Sequence, residues 1–255
     1  MKCRKGYKEV RPIELNTIYN EDCLEGMKRI PDKSVDMILA DLPYGTTQNK
    51  WDSVIPLDRL WEQYNRIIKD NGAIVLTAQT PFDKVLGVSN LKQLKYEWIW
   101  DKKLATGHLN SKRMPLKRHE NILVFYKRPP VYNPQFTKGE PYDKGFALRE
   151  SENWGKQVAV SGKNESGRRH PTSLIVKSNA NQRIKVHPTQ KPVELFEYLI
   201  KTYTNEGETV LDNCMGSGTT AIACLNTDRQ YIGFELDADY YKLANERIAK
   251  HKEGE

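Results

Sequence analysis

The sequence predicts an α/β protein: a mostly parallel twisted sheet with helices on both faces, interrupted by an irregular basic insertion. Three observations point there. Apolar runs of strand length alternate with amphipathic stretches of helical period in the first and last parts of the 255-residue chain. Two of those runs, 35–40 and 209–211, end in polar motifs, Asp41-Leu42-Pro43-Tyr44-Gly45 and Asp212-Asn213-Cys214-Met215-Gly216-Ser217-Gly218-Thr219-Thr220. Residues so placed sit at the carboxyl ends of strands, where open α/β sheets bind ligands. Between about 129 and 185 the periodicity dissolves among Pro129, Pro130, Pro134 and a scatter of glycines.

In chain order, Thr17-Ile18-Tyr19 reads as a short strand and Leu24 to Ile30 as a short helix. Val35 to Ala40 is a buried strand. Leu57, Leu60, Trp61, Tyr64, Ile67 and Ile68 share one helical face, with a stop expected at Asn71-Gly72. Ala73–Ala78, Tyr96–Trp100 and Asn121–Tyr126 read as strands. Regularity returns at Pro192, a residue suited to a first helical position, followed by Phe196, Leu199, Ile200 and Tyr203 along one face. A strand over 209–212, a helix from about Ser217, a strand from Gln230 to Glu235 and a helix from about Asp239 complete the pattern. No internal repeat interrupts it.

The formal charge of +7 suits a polyanionic partner. It is unevenly placed. Residues 102–185 hold 18 Lys and Arg against six Asp and Glu, whereas the remainder holds 22 against 27. Cys3, Cys23, Cys214 and Cys224 form no CxxC spacing, which leaves reduced intracellular thiols as the simplest account. The charged amino terminus with no long apolar run after it argues against a signal peptide or membrane span, so a cytoplasmic location is expected.

The second motif is a strand, a glycine turn and a helix start, a unit that aims free backbone amides at a bound group. Glu235 ends the next strand, well placed to accept hydrogen bonds from a ribose. By itself this turn would admit a nicotinamide dinucleotide. The first motif offers a carboxylate acceptor at Asp41, backbone carbonyls at Leu42 and Pro43, and the aromatic face of Tyr44. Such a set suits a delocalised amine that must be held and rehybridised before it can attack.

Together the two motifs resemble the beta class of DNA amino-methyltransferases, in which the catalytic motif precedes the cofactor motif. The resemblance spans most of the chain and implies a Rossmann-like fold of circularly permuted order, formed by 1–128 and 186–255. It also implies a target-recognition region where the basic segment lies, about 102–185. S-adenosylmethionine is the implied cofactor and no metal is required. The resemblance assigns Asp22 to the adenine amine of the cofactor, Glu235 to the ribose hydroxyls and Asp212 to Gly218 to the cofactor loop, with Cys23, Asp41, Asp212, Asn213, Met215, Gly216, Ser217, Gly218, Thr219, Thr220 and Leu236 among the cofactor-binding residues. His187, Thr189, Gln190 and Lys191 match the segment that covers the methionine part. The family pattern usually has proline where this chain has Leu42; the acceptor, the following proline and the ring are kept. Asp at the first place leans toward adenine N6, with cytosine N4 as the alternative. Duplex DNA is the implied partner, dimers are common in the class, and a cognate restriction endonuclease is a further candidate partner. Lys112, Arg113, Lys117, Arg118, Arg168 and Arg169 are candidate phosphate contacts, with Lys127-Arg128 beside them, and His108, Asn110 and Asn133 candidate base contacts. Rival readings are a catalytically silent DNA-binding module and a nicotinamide enzyme on a similar sheet.

Overall fold

A computed structural model describes residues 12–45, 53–147, 150–153, 155–156, 160–179 and 190–254. The chain divides into two compact units, 1–133 with 173–255, and 134–172. In the first, β1 (Thr17–Tyr19), α1 (Cys23–Met27), β2 (Val35–Asp41), α2 (Leu57–Ile67), β3 (Ile68–Ala78), α3 (Phe82–Ser89), β4 (Leu94–Thr106) and β5 (Lys117–Phe125) follow one another. The second unit contributes β6 (Thr137–Lys138), β7 (Tyr142–Ala147), β8 (Glu150–Ser151), β9 (Gly155–Lys156), β10 (Val160–Asn164) and β11 (Arg168–Arg169). The chain returns to the first with β12 (Leu174–Val176), α4 (Val193–Tyr203), β13 (Thr209–Asp212), α5 (Thr219–Leu225), β14 (Gln230–Phe234) and α6 (Ala238–Glu253).

Eight strands form the main sheet in the order β1-β14-β13-β2-β3-β5-β4-β12. All neighbouring pairs are parallel except those made by β5, which runs antiparallel to β3 and β4. Side chains alternate across it. Met37, Leu39 and Val75 meet α4, α5 and α6 on one face, while Ile38, Ala40, Ile74 and Leu76 meet α1, α2 and α3 on the other. Burial on both faces accounts for the unbroken apolar runs in the sequence.

From β13 the chain crosses toward β14, and from β2 it crosses the opposite way toward β3. The neighbours β13 and β2 are therefore the switch point, where a crevice opens beyond the strand ends. Asp41 and Asp212, the last residues of β2 and β13, flank it. Because β5 is antiparallel, its first residues lie at this same edge: Asn121 pairs with Ala78, and Glu120 with Trp100.

Several local expectations are corrected. The helix expected to run to Asn71-Gly72 ends at Ile67, because Ile68 already pairs with Val35 and β3 begins there. Gly72 lies inside that strand at an irregular register, where a Cβ would come 2.7 Å from the Asp36 carbonyl oxygen. Close strand approach, not helix termination, selects it. The first helix closes at Met27, and Pro192 caps α4 from outside. Helix α3 was unforeseen, since Gly87 and a length of eight residues hide its period. The stretch read as irregular holds three antiparallel pairs, β6 with β11, β7 with β10 and β8 with β9. Its strand β12 joins the main sheet beside β4.

Candidate active site

A cavity of about 730 Å³ opens at the switch point, and both motifs line it, Asp41 to Tyr44 on one side and Asp212 to Ser217 on the other. Asp41 is held on both oxygens. Its Oδ1 accepts from the Tyr44 hydroxyl at 2.7 Å and from the Thr77 hydroxyl, and its Oδ2 accepts from Lys191 Nζ at 2.6 Å. Thr77 stands opposite Asp41 in the β2–β3 register, so the sheet itself presents that donor. The Tyr44 ring stacks on Phe82 with centroids 5.3 Å apart, and the Lys191 ammonium lies 5.7 Å from its centre. Leu42, which stands where the resembling family usually has proline, is buried in the core beneath.

Lys191 is buried and continues into a line of alternating charge. Its Nζ is 3.3 Å from Glu120 Oε2, and Glu120 Oε1 is 3.2 Å from Lys102 Nζ. Burial alone would pull the Lys191 ammonium down, but Asp41 foremost and Glu120 outweigh it and hold it well above the usual lysine range. Burial and the neighbouring Asp41 charge push the Tyr44 phenol up, so it stays a donor toward the carboxylate.

On the other side the glycine turn is built around two carboxylates. Asp212 accepts from the Cys214 amide at 2.9 Å and from the Thr220 hydroxyl, and burial raises its carboxyl to about 7. Glu235 accepts from the Gly216 amide at 2.7 Å and from the Asp237 amide at 2.9 Å. Burial raises the Glu235 carboxyl too, against those hydrogen bonds. Gly216 adopts φ +52° and a Cβ there would meet nothing nearer than 4.0 Å, so the turn leaves open space toward the cavity. Gly218 also has positive φ, +78°, but a Cβ there would come 3.2 Å from that of Ala244. Its constraint is the packing of α5 on α6. Asp22 caps α1, accepting from the Leu24 and Glu25 amides at 2.8 and 3.2 Å, and also lines the cavity with Cys23. Exposed Leu236 supplies an apolar wall beside Glu235.

These residues fit S-adenosylmethionine. The cavity has the volume of a nucleoside-sized ligand with room to spare. It offers carboxylates at Asp22 and Glu235, apolar walls at Leu236 and Ile55, and a glycine turn with no side chain in the way. Burial pushes the Cys23 thiol up to about 11 and raises Cys214 as well, so neither presents a thiolate nucleophile.

A protein-family profile for N6/N4 methyltransferases, described as DNA methylase, matches residues 35–246. The chain belongs to this family. It is 30% identical to the type II methyltransferase M1.MboII of Moraxella bovis, over 91% of this chain and 96% of that one. It is 27% identical to the DNA adenine methyltransferase YhdJ of Escherichia coli K12, over 95% and 86%. The solved complex of M1.HpyAVI with S-adenosylmethionine superposes with a TM-score of 0.62 at 26% identity, over 91% and 98% of the two chains. The cytosine-N4-specific PvuII DNA methyltransferase shares the fold at a TM-score of 0.68 and 15% identity, over 93% and 87%.

Within this methylase, the expected cofactor residues gather at one cavity apart from Gly218, which faces α6, and His187 and Thr189, which lie outside the described residues. Gln190 is buried and lines the cavity. Ser217 and Thr219 are tied to α6 by Arg247, whose guanidinium donates to the Ser217 carbonyl at 3.0 Å and the Thr219 hydroxyl at 3.1 Å. Arg247, Thr77, Glu120 and Lys102 were not anticipated. Thr77 was within reach, as a polar residue near the end of an apolar strand. Glu120 needed the antiparallel course of β5, which no local pattern reveals.

The basic candidates separate. Lys112 and Arg113 on the β4–β5 connection and Lys117 and Arg118 at the start of β5 are exposed, and Arg118 is drawn back by a bidentate pair with Asp101 at 2.8 and 2.9 Å. In the second unit, Arg168 lies 3.9 Å from the Phe136 ring centre and Arg169 4.6 Å from that of Tyr142. Arg169 also donates to the Glu140 carbonyl, which makes it a brace for its own hairpin. Asn133 likewise turns inward, its side-chain amide donating to the Thr204 carbonyl at 3.1 Å. His108 and Asn110 form an exposed 3₁₀ turn.

Proposed function

We propose that this DNA methyltransferase acts site-specifically on adenine N6 in duplex DNA, by extruding the base and transferring the methyl group directly. The observation that carries the reading is the carboxylate of Asp41, anchored at the end of β2 on the cavity shared with the glycine turn. When bound, S-adenosylmethionine supplies a methyl group already activated on a sulfonium. The task left to the chain is to position and polarise a poor nucleophile.

Asp41 accepts a hydrogen bond from the target amine, and the Leu42 or Pro43 carbonyl accepts a second, favouring a tetrahedral nitrogen with its lone pair freed. The Tyr44 ring, backed by Phe82, gives the extruded base a face to stack on. Glu235 and Asp22 serve the ribose and adenine of the cofactor, with Leu236 and Cys23 beside them. Gln190 and Lys191, with His187 and Thr189, cover its methionine part. The basic region 102–185 serves as the target-recognition surface, with Lys112, Arg113 and Lys117 on phosphates. An aspartate at the head of the motif supports adenine over cytosine N4, as does the likeness to an adenine methyltransferase across most of both chains.

Expression in a methylation-deficient host, followed by sequencing that reports modified bases, tests this. N6-methyladenine in one recurring context is the expected result; N4-methylcytosine would move the assignment to the alternative, and unmodified DNA would reject both. Asp41→Ala is expected to abolish transfer while S-adenosylhomocysteine affinity, read by calorimetry, stays within about a few-fold, since the carboxylate serves the amine. Comparable loss of that affinity would place Asp41 on the cofactor instead.

A further inference from the structure

Asp41 Oδ1 already accepts from two internal donors, Tyr44 and Thr77, so a base amine is left with Oδ2, where it competes with the Lys191 ammonium for acceptor capacity. Tyr44 and Thr77 are fixed by the chain turn and by the sheet. Lys191 alone of the three stands between two carboxylates, 2.6 Å from Asp41 Oδ2 and 3.3 Å from Glu120 Oε2. That Glu120 oxygen is buried, lies in a side chain lining the cavity, and has no hydrogen-bond partner among the described residues; Lys191 approaches it off the line a hydrogen bond needs. A buried carboxylate oxygen with unused acceptor capacity is costly to keep and calls for a role.

We infer that Glu120 is a positioning residue for the transfer: it takes the Lys191 ammonium from Asp41 when the target amine arrives. The amine N–H then donates to Asp41 Oδ2 and a Lys191 N–H donates to Glu120 Oε2, with no change in charge and no proton leaving either group. Lys102 holds the other Glu120 oxygen at 3.2 Å and so keeps the receiving carboxylate aimed. The exchange moves the ammonium by less than the length of a side chain, and it spares the site an unpaired buried lysine in either state. The inference rests on the amine-transfer reading above, whichever base carries the amine.

Glu120→Gln keeps the shape and removes the charge that draws Lys191 away. Single-turnover methyl transfer from tritiated S-adenosylmethionine to unmethylated genomic DNA of a methylation-deficient host should fall about ten- to a hundredfold, the rate equivalent of one charged hydrogen bond. S-adenosylhomocysteine affinity and the unfolding temperature should stay near the wild-type values. In a Lys191→Gln background the same substitution should change the rate less than about twofold, because the ion it receives is gone. An undiminished rate in Glu120→Gln overturns the inference. So does an equal fractional loss in both backgrounds, or a loss matched by a fall in unfolding temperature. Absence of transfer by the wild-type protein would instead reject the amine-transfer reading, and product nucleosides would identify the base.

Discussion

Tyr44 joins two functions that the sequence motif does not separate. Its ring rests on Phe82 and its hydroxyl donates to Asp41 Oδ1, at 2.7 Å. The motif alone suggests that the ring is what matters; the hydrogen bond gives the phenol a share in aiming the acceptor. Tyr44→Phe should therefore lose roughly three- to tenfold in single-turnover rate, the worth of one such bond. Tyr44→Ala should lose on the order of a hundredfold, as the stacking face goes too. A phenylalanine variant with the wild-type rate would leave Thr77 sufficient to aim Asp41. At Asp212 the consequence is one of pH. Burial lifts its carboxyl from 3.8 in the unfolded chain to about 7 in the fold. Within that window the folded protein keeps a proton that the unfolded chain has released, so this group's contribution to stability falls as pH rises through it. Asp212→Asn cannot ionise. Its unfolding temperature relative to wild type should rise from about pH 4 to about pH 7 and level off above, and a pH-independent difference would show that the carboxyl titrates normally.

At the scale of elements, the two glycines of the cofactor turn answer to different demands. Gly216 faces open space, so Gly216→Ala incurs chiefly the left-handed backbone cost of about 1–2 kcal/mol while narrowing the cavity. Gly218→Ala meets that cost and also presses on Ala244 of α6. Thermal unfolding should show the larger loss at Gly218, and calorimetry with S-adenosylhomocysteine the larger loss of affinity at Gly216. The reverse ranking would mean that Gly218 borders the ligand. Legibility follows the same division. The strands β2, β3, β13 and β14 were readable because burial on both faces makes them continuous apolar runs, and their ends carry the motifs. Helix α3 and strand β12 were not, being short and decided by tertiary contacts. Asn71-Gly72 misled because a glycine that lets two strands approach looks locally like one that stops a helix. In the site, residues next to one another in sequence were found from sequence. The Asp41–Lys191–Glu120–Lys102 line joins four separate segments, and only the sheet order brings them together.

Over the whole molecule, the formal charge of +7 joins a strongly basic segment, 102–185, to a mildly acidic remainder. Among the described residues, no helix is long and apolar enough to cross a membrane and no cluster of metal-binding side chains occurs. Phosphates are the polyanion that a DNA methyltransferase meets, and they suit the surplus cations. Each neutralised phosphate releases counterions, so log affinity for duplex DNA should fall linearly with log salt, by about 0.9 per contact. Lys112 and Lys117 are exposed and make no ion pair among the described residues, whereas Arg118 is engaged by Asp101. Replacing Lys112 and Lys117 together by alanine should flatten the slope by about two units, measured by fluorescence anisotropy on a mixed-sequence duplex. Removing Arg118 should flatten the slope by less per residue, because its guanidinium is already committed to Asp101 and has fewer donors left for a phosphate. Cofactor affinity should not move in either case. A slope that survives the double replacement would take the β4–β5 connection and the start of β5 out of the DNA-facing surface and leave the charge to the remaining basic residues.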